Sequence, residues 1–134
     1  MVTPTVVFDS EALSSVARQD RAALLTLSAA KANRQRVVVP TAVLAEVFTG
    51  KQSDAAVWHV LSRVLTCDLT TSIAARAGAL RRQASKVRAK RRDMTIDAIV
   101  VATAEELAPA VIVTGDPDDM TMLVTNQQVR VTCL

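Results

Sequence analysis

Four acidic residues stand in surroundings where acids are costly. Asp9 ends the apolar run Thr5-Val6-Val7-Phe8, and Asp116 closely follows Val111-Ile112-Val113. Glu46 lies within Val43-Leu44-Ala45-Glu46-Val47-Phe48, and Asp97 within Ile96-Asp97-Ala98-Ile99-Val100-Val101. The chain holds 13 Asp and Glu, most of them on polar stretches, which sets these four apart. An ionised carboxylate among apolar neighbours costs several kcal/mol unless a cation or dense hydrogen bonding offsets it. One divalent cation shared by all four is the economical compensator, because Mg²⁺ and Mn²⁺ take carboxylate oxygens, waters and phosphates. A cation so held polarises a phosphate, acidifies a water and stabilises a leaving oxygen, which is metal-assisted phosphodiester hydrolysis.

Each acid also has a purely structural reading. Asp9 and Asp116 can cap the helices that follow them, with Asp118 and Asp119 complementing the second helix's dipole. Glu46 can pair with a base on a helix surface, and Asp97 can lie on an exposed stripe. Taken singly the readings balance; taken together, four coincidences are harder to accept than one metal. Asp119, at the third helical position, can both cap and face the site. Ser10 and Thr114, each within two residues of a strand-end acid, offer hydroxyls to orient a water or a phosphate oxygen. Asp93 is read as an N-cap, and His59 as a packed or surface histidine outside the chemistry.

The elements that would position these acids follow from periodicity. Thr5–Phe8 and Val37–Val39 read as short buried strands, the first followed by helical spacing to about Arg34 with a break near residues 18–20. Pro40 is read as opening a helix that stops at Gly50, and Asp54 as capping another through about Leu65. A third strand is expected near residues 66–69. Helices then follow from Thr71 to about Arg92 and from Ile96 to Leu107, before a strand at residues 111–113, a short helix from Pro117 and a last strand at residues 129–132. Short apolar strands alternating with helices predict a three-layer α/β/α sandwich around a mainly parallel sheet. In such folds the ligand site lies beyond the carboxyl ends of the strands.

At 134 residues the chain is the length of one domain, expected to span residues 1–134. No basic leader or long apolar run is evident, so a cytoplasmic location and no membrane contact are expected. Cys67 and Cys133 lack metal-ligand spacing and are expected to be buried free thiols. The net charge of +3 is unevenly placed: Arg76, Arg81, Arg82, Lys86, Arg88, Lys90, Arg91 and Arg92 follow one another with no acid before Asp93. Of these, Arg81, Arg82, Lys86, Arg88, Lys90 and Arg91 are the candidate contacts to RNA phosphates, a solvated helix face being the plainer alternative. Phe8, Phe48 and Trp58 are the only aromatics, so base stacking is not the expected means of binding.

Four strings in this order and spacing carry a family resemblance: Val6-Val7-Phe8-Asp9-Ser10, Pro40-Thr41-Ala42-Val43-Leu44-Ala45-Glu46, Asp97-Ala98-Ile99-Val100-Val101-Ala102-Thr103-Ala104 and Val113-Thr114-Gly115-Asp116-Pro117-Asp118-Asp119. The sequence resembles PIN-domain ribonucleases, in particular the toxins of VapBC-type toxin–antitoxin pairs. The resemblance implies a PIN-like fold, Asp9, Glu46, Asp97 and Asp116 as catalytic metal ligands, Asp119 as an accessory acid and Thr114 as a nearby hydroxyl. It also implies an endoribonuclease using Mg²⁺ or Mn²⁺, a homodimer, and a small cognate antitoxin as partner. Gly115 departs from the hydroxyl or small polar residue that many relatives carry there. The alternatives are a catalytically silent module that binds RNA or protein through the basic segment, and a Mg²⁺-dependent phosphatase. The phosphatase pattern wants a second Asp two residues beyond Asp9, where this chain has Glu11.

Overall fold

Runs rich in valine make poor helices and good strands, because the branched Cβ restricts χ1 in a helix and packs well on a pleated surface. The computed structural model, which describes residues 3–87 and 93–134 apart from the side chains of 86 and 87, follows this logic. In chain order the elements are β1 (Thr5–Phe8), α1 (Ser10–Ala17), α2 (Arg21–Ala32), β2 (Val37–Pro40), α3 (Thr41–Val47), α4 (Asp54–Leu61), β3 (Leu65–Cys67), α5 (Thr71–Val87), α6 (Thr95–Glu106), β4 (Ala110–Thr114), α7 (Pro117–Leu123) and β5 (Val129–Cys133).

The strands form one sheet in the order β3-β2-β1-β4-β5, with every neighbouring pair parallel. From β1 the chain steps outward to β2 and β3, then returns across the sheet to β4 and on to β5. Right-handed crossovers in two opposite directions place their helices on opposite faces. The helices accordingly pack as two groups, α1 with α2, α3 and α4, and α5 with α6 and α7. This is the expected α/β/α sandwich, and its sheet is parallel throughout. Both faces being covered, β1 and β2 are buried at every residue. Residues 98–104 of α6 are buried without interruption, so this helix forms the centre of its layer.

Three local expectations change. Pro40 closes β2 instead of opening a helix; with no N–H it suits the last strand position, and α3 begins at Thr41. The third strand lies at Leu65–Cys67 instead of residues 66–69, because α4 stops at Leu61 instead of running on to about Leu65. Cys67 and Cys133 are free, but Cys67 is half-buried and Cys133 exposed. Each lies on an edge strand, where only one neighbour shields it. No helix among the described residues is long and apolar enough to cross a membrane.

Candidate active site

The chain leaves β1 toward one side of the sheet and β4 toward the other, so a crevice opens at the carboxyl ends of these adjacent strands. Register decides what meets there. Phe8 pairs with Val113, so Asp9 stands beside Thr114, and the Asp9 amide donates to the Val113 carbonyl at 3.3 Å. Asp9 is 6% exposed, and its Oδ1 accepts from the Ala12 amide at 2.8 Å, capping α1. Thr114, 1% exposed, donates its hydroxyl to the Asp9 carboxylate and accepts the Asp116 amide at 3.0 Å. One buried hydroxyl therefore ties the two strand-end acids together.

The crevice is a cavity of about 480 Å³ whose lining includes Asp9, Glu46, Asp97 and Asp116. Ser10 and Thr114 line it as well. Glu46 reaches it from the last turn of α3, held by the Ser10 hydroxyl, which donates to Glu46 Oε1 at 2.5 Å. Asp97 enters from the first turn of α6, half-buried just ahead of the buried run 98–104. Asp116 caps α7, accepting from the Asp119 amide at 3.4 Å. The capping and cavity-lining roles of Asp9 and Asp116 thus coexist.

The premise that all four acids are buried needs correcting. Asp9 is buried and Asp97 half-buried, whereas Glu46 and Asp116 are exposed. An apolar string on a short helix wraps around its axis, so Glu46 faces the opening while Val43 faces the core. Asp119 is not part of the cavity lining; α7 turns Met120 into the wall, and Asp119 presents its amide to Asp116. Asp93 lines the cavity and accepts from the Thr95 amide at 3.0 Å and the Thr95 hydroxyl at 2.5 Å, so its capping reading holds locally. Exposed His59 lies outside the lining.

Sequence reasoning gave Glu11 no part in the site, yet it lines the cavity. The signal available was Gly115: a Cβ there would come within 2.4 Å of Glu11 Cγ, so the β4–α7 turn is glycine where Glu11 lies against it. The exposed Arg18 pairs with Glu11 at 3.5 Å. In the basic segment, Arg76 is engaged by Glu105 at 2.8 Å and by Thr125 at 3.2 Å. Arg81 is exposed and donates to the Thr95 hydroxyl at 2.9 Å, near the cavity wall, and Arg82 is exposed. The Lys86 side chain, Arg88, Lys90 and Arg91 lie outside the described residues.

Burial pushes the Asp9 carboxyl above its usual range, while the Thr114 hydroxyl and the Ala12 amide pull it down and the Glu11 charge adds to the rise. The outcome is a raised pKa, so the protein's own groups leave part of the cost of this charge standing. A cation would cover it. The donors are carboxylates and hydroxyls with no Cys or His in the lining, the set that hard divalent cations prefer. Among the described residues, no three Asp, Glu, His or Cys stand close enough to hold one ion between them.

A sequence profile of the PIN domain matches residues 6–121, which include all four acids. The chain belongs to the PIN-domain family. Among solved structures, a chain of VapBC2 from Rickettsia felis, bound to a DNA fragment from their promoter, superposes with a TM-score of 0.73 at 14% identity, covering 97% of this chain and 98% of that one. A chain of DNA-bound VapBC from Salmonella typhimurium gives 0.68 at 14% identity, with 98% of each chain covered. At such identity the likeness establishes the PIN fold. No curated protein sequence matches the chain.

Proposed function

We propose that this PIN-domain protein is an endoribonuclease dependent on Mg²⁺ or Mn²⁺, acting as the toxin of a VapBC-type pair from one domain spanning residues 1–134. The observation that carries the reading is the meeting of Asp9, Glu46, Asp97 and Asp116, from four separate segments, on one cavity at the carboxyl edge of the sheet. Nucleases need such a site to hold a cation against a phosphodiester, and a binding module has no use for it.

A bound cation would supply Lewis acidity at the scissile phosphate and acidify the attacking water. The chain's own residues do the remainder. Asp9, fixed by the α1 amide and the Thr114 hydroxyl, would be the rigid ligand, with Asp97 and Asp116 facing it from the opposite helix layer. Glu46, exposed at the cavity and with Oε1 engaged by Ser10, has Oε2 to take the proton shed by water attacking in line. The arginines of α5, Arg81 and Arg82, would hold flanking phosphates.

The antitoxin partner is supported by the solved relatives, which are VapBC complexes. A homodimer is part of the same reading. The test is cleavage of single-stranded RNA by the purified chain with Mn²⁺ present or chelated. Cleavage that needs the metal and disappears in Asp97→Asn is expected; an Asp97→Asn protein that cleaves like the parent would sink the assignment.

A further inference from the structure

A cavity walled by carboxylates repels the polyanion it is proposed to cut until a cation is bound, so the substrate must be held elsewhere. At the opposite edge of the sheet, around the amino ends of β2 and β3, a second cavity of about 320 Å³ is lined by Lys31, Gln35, Arg36, Ser62 and Arg63 among others. Its lining has three cations and no acid. The ion pairs Arg18–Glu11 and Arg76–Glu105 do not reach it. Like charges converging without a counter-charge are a cost that an anion would relieve.

The local bonds hold this wall in shape while leaving most of its donors unspent. Lys31 Nζ donates to the Arg63 carbonyl, tying the end of α2 to the turn before β3. Arg36 donates to the Thr5 hydroxyl at 3.3 Å and Gln35 to the Pro4 carbonyl at 2.9 Å. A lysine has three donors and an arginine five, and the Arg63 side chain is exposed. Complementing the α2 dipole accounts for Lys31 alone, not for Arg36 or Arg63. Beside the cavity, Arg34 takes a left-handed conformation, φ 57°, directly after α2, where glycine is favoured. A fourth exposed cation is thus placed at the position least suited to a side chain.

We propose that this basic cavity binds backbone phosphates of the RNA substrate, several nucleotides away from the bond that is cut. The proposal rests on the ribonuclease reading and deepens it. Strands of four residues separate the two cavities by roughly 13 Å of sheet, a span that a short stretch of single strand bridges along the exposed β3 edge. The preferred substrate is then an RNA long enough to occupy both edges, and a dinucleotide, whose single phosphodiester sits at the acid cavity, has no phosphate to offer the second one.

The test measures binding of a long single-stranded RNA to the full chain by fluorescence anisotropy in EDTA, where metal-dependent cleavage is off. Lys31→Gln/Arg63→Gln should weaken binding about tenfold and flatten the slope of log affinity against log salt by about 1.4, at roughly 0.7 per lost phosphate contact. Arg63→Gln alone, which leaves the carbonyl bonded by Lys31 intact, should give about half the change in slope. Arg130→Gln, on the far edge strand, controls for net charge and should change little. With Mn²⁺, dinucleotide cleavage should be the same in parent and variants while KM for the long RNA rises. Unchanged affinity in both variants, or an equal loss in Arg130→Gln, overturns the inference. Basic-cavity-dependent binding with no cleavage of any RNA by the parent protein overturns the nuclease reading instead and leaves the phosphate site standing.

Discussion

Thr114→Val tests whether one buried hydroxyl organises the acid cavity. Valine keeps the volume and the β-branched shape that β4 favours, so the strand should persist while the bond to Asp9 and the acceptor for the Asp116 amide are lost. A hydrogen bond to a charged partner contributes about 1.5–3 kcal/mol, against about 0.5–1.5 for a neutral pair. The Asp116 amide lies at a partly exposed turn, where water can replace Thr114, so the Asp9 bond dominates. The expected loss near neutral pH is about 2 kcal/mol, or about 8 °C in Tm for a chain of this length.

The sign of the pH dependence follows from Asp9. Its folded pKa lies above 3.8, the value of an unstructured aspartate, so between 3.8 and the folded value the native state holds more protons than the unfolded one. Its contribution to metal-free stability therefore falls as pH rises through that window. Removing Thr114 raises the folded pKa further and deepens the fall. The Tm gap between parent and Thr114→Val should thus be widest at neutral pH and shrink to about half once Asp9 is protonated, where only a neutral bond is missing. Thermal melts in EDTA across an acid-to-neutral series read this directly. A gap that stays constant with pH, or a Thr114→Ser variant as destabilised as Thr114→Val, would refute the reasoning.

Three other outcomes follow. Asp9→Asn keeps an acceptor for the Ala12 amide but removes the poorly compensated charge, so the metal-free protein should melt higher than the parent at neutral pH while Mn²⁺ no longer raises its Tm; a lower melting point would show that Asp9 stabilises the fold in its ionised state. Ser10→Ala frees Glu46 Oε1 and should cost about 10–100-fold in cleavage with a stability change under about 1 kcal/mol, read by single-turnover kinetics beside urea titration, and unaltered kinetics would remove Ser10 from the site. Leu80→Ala, at a side chain 1% exposed in the α5 layer, should cost about 2–5 kcal/mol in denaturant unfolding yet leave activity per folded molecule intact.

Local residue patterns are enough to set the strands and most helices. Runs such as Val37-Val38-Val39 have few other homes than a strand covered on both faces, and that need for cover, repeated between helices, is what makes the sheet parallel. The same patterns mark the four acids, since Asp9 after an apolar run is conspicuous wherever the chain goes. Tertiary structure alone decided which of them are buried. Glu46 sits in an apolar string and Asp116 shortly after one, yet both face water, because side-chain direction depends on where a helix or turn lies against its neighbours. Strand register, which no local pattern encodes, set Asp9 beside Thr114 and made that threonine a bridge between two acids a hundred residues apart. Glu11 was illegible for the same reason: its place in the cavity depends on the clearance at Gly115, on a different strand's turn. The basic cavity at the other edge joins the end of α2 to the turn before β3, and cations from two distant segments become a cluster only when the sheet brings those segments side by side.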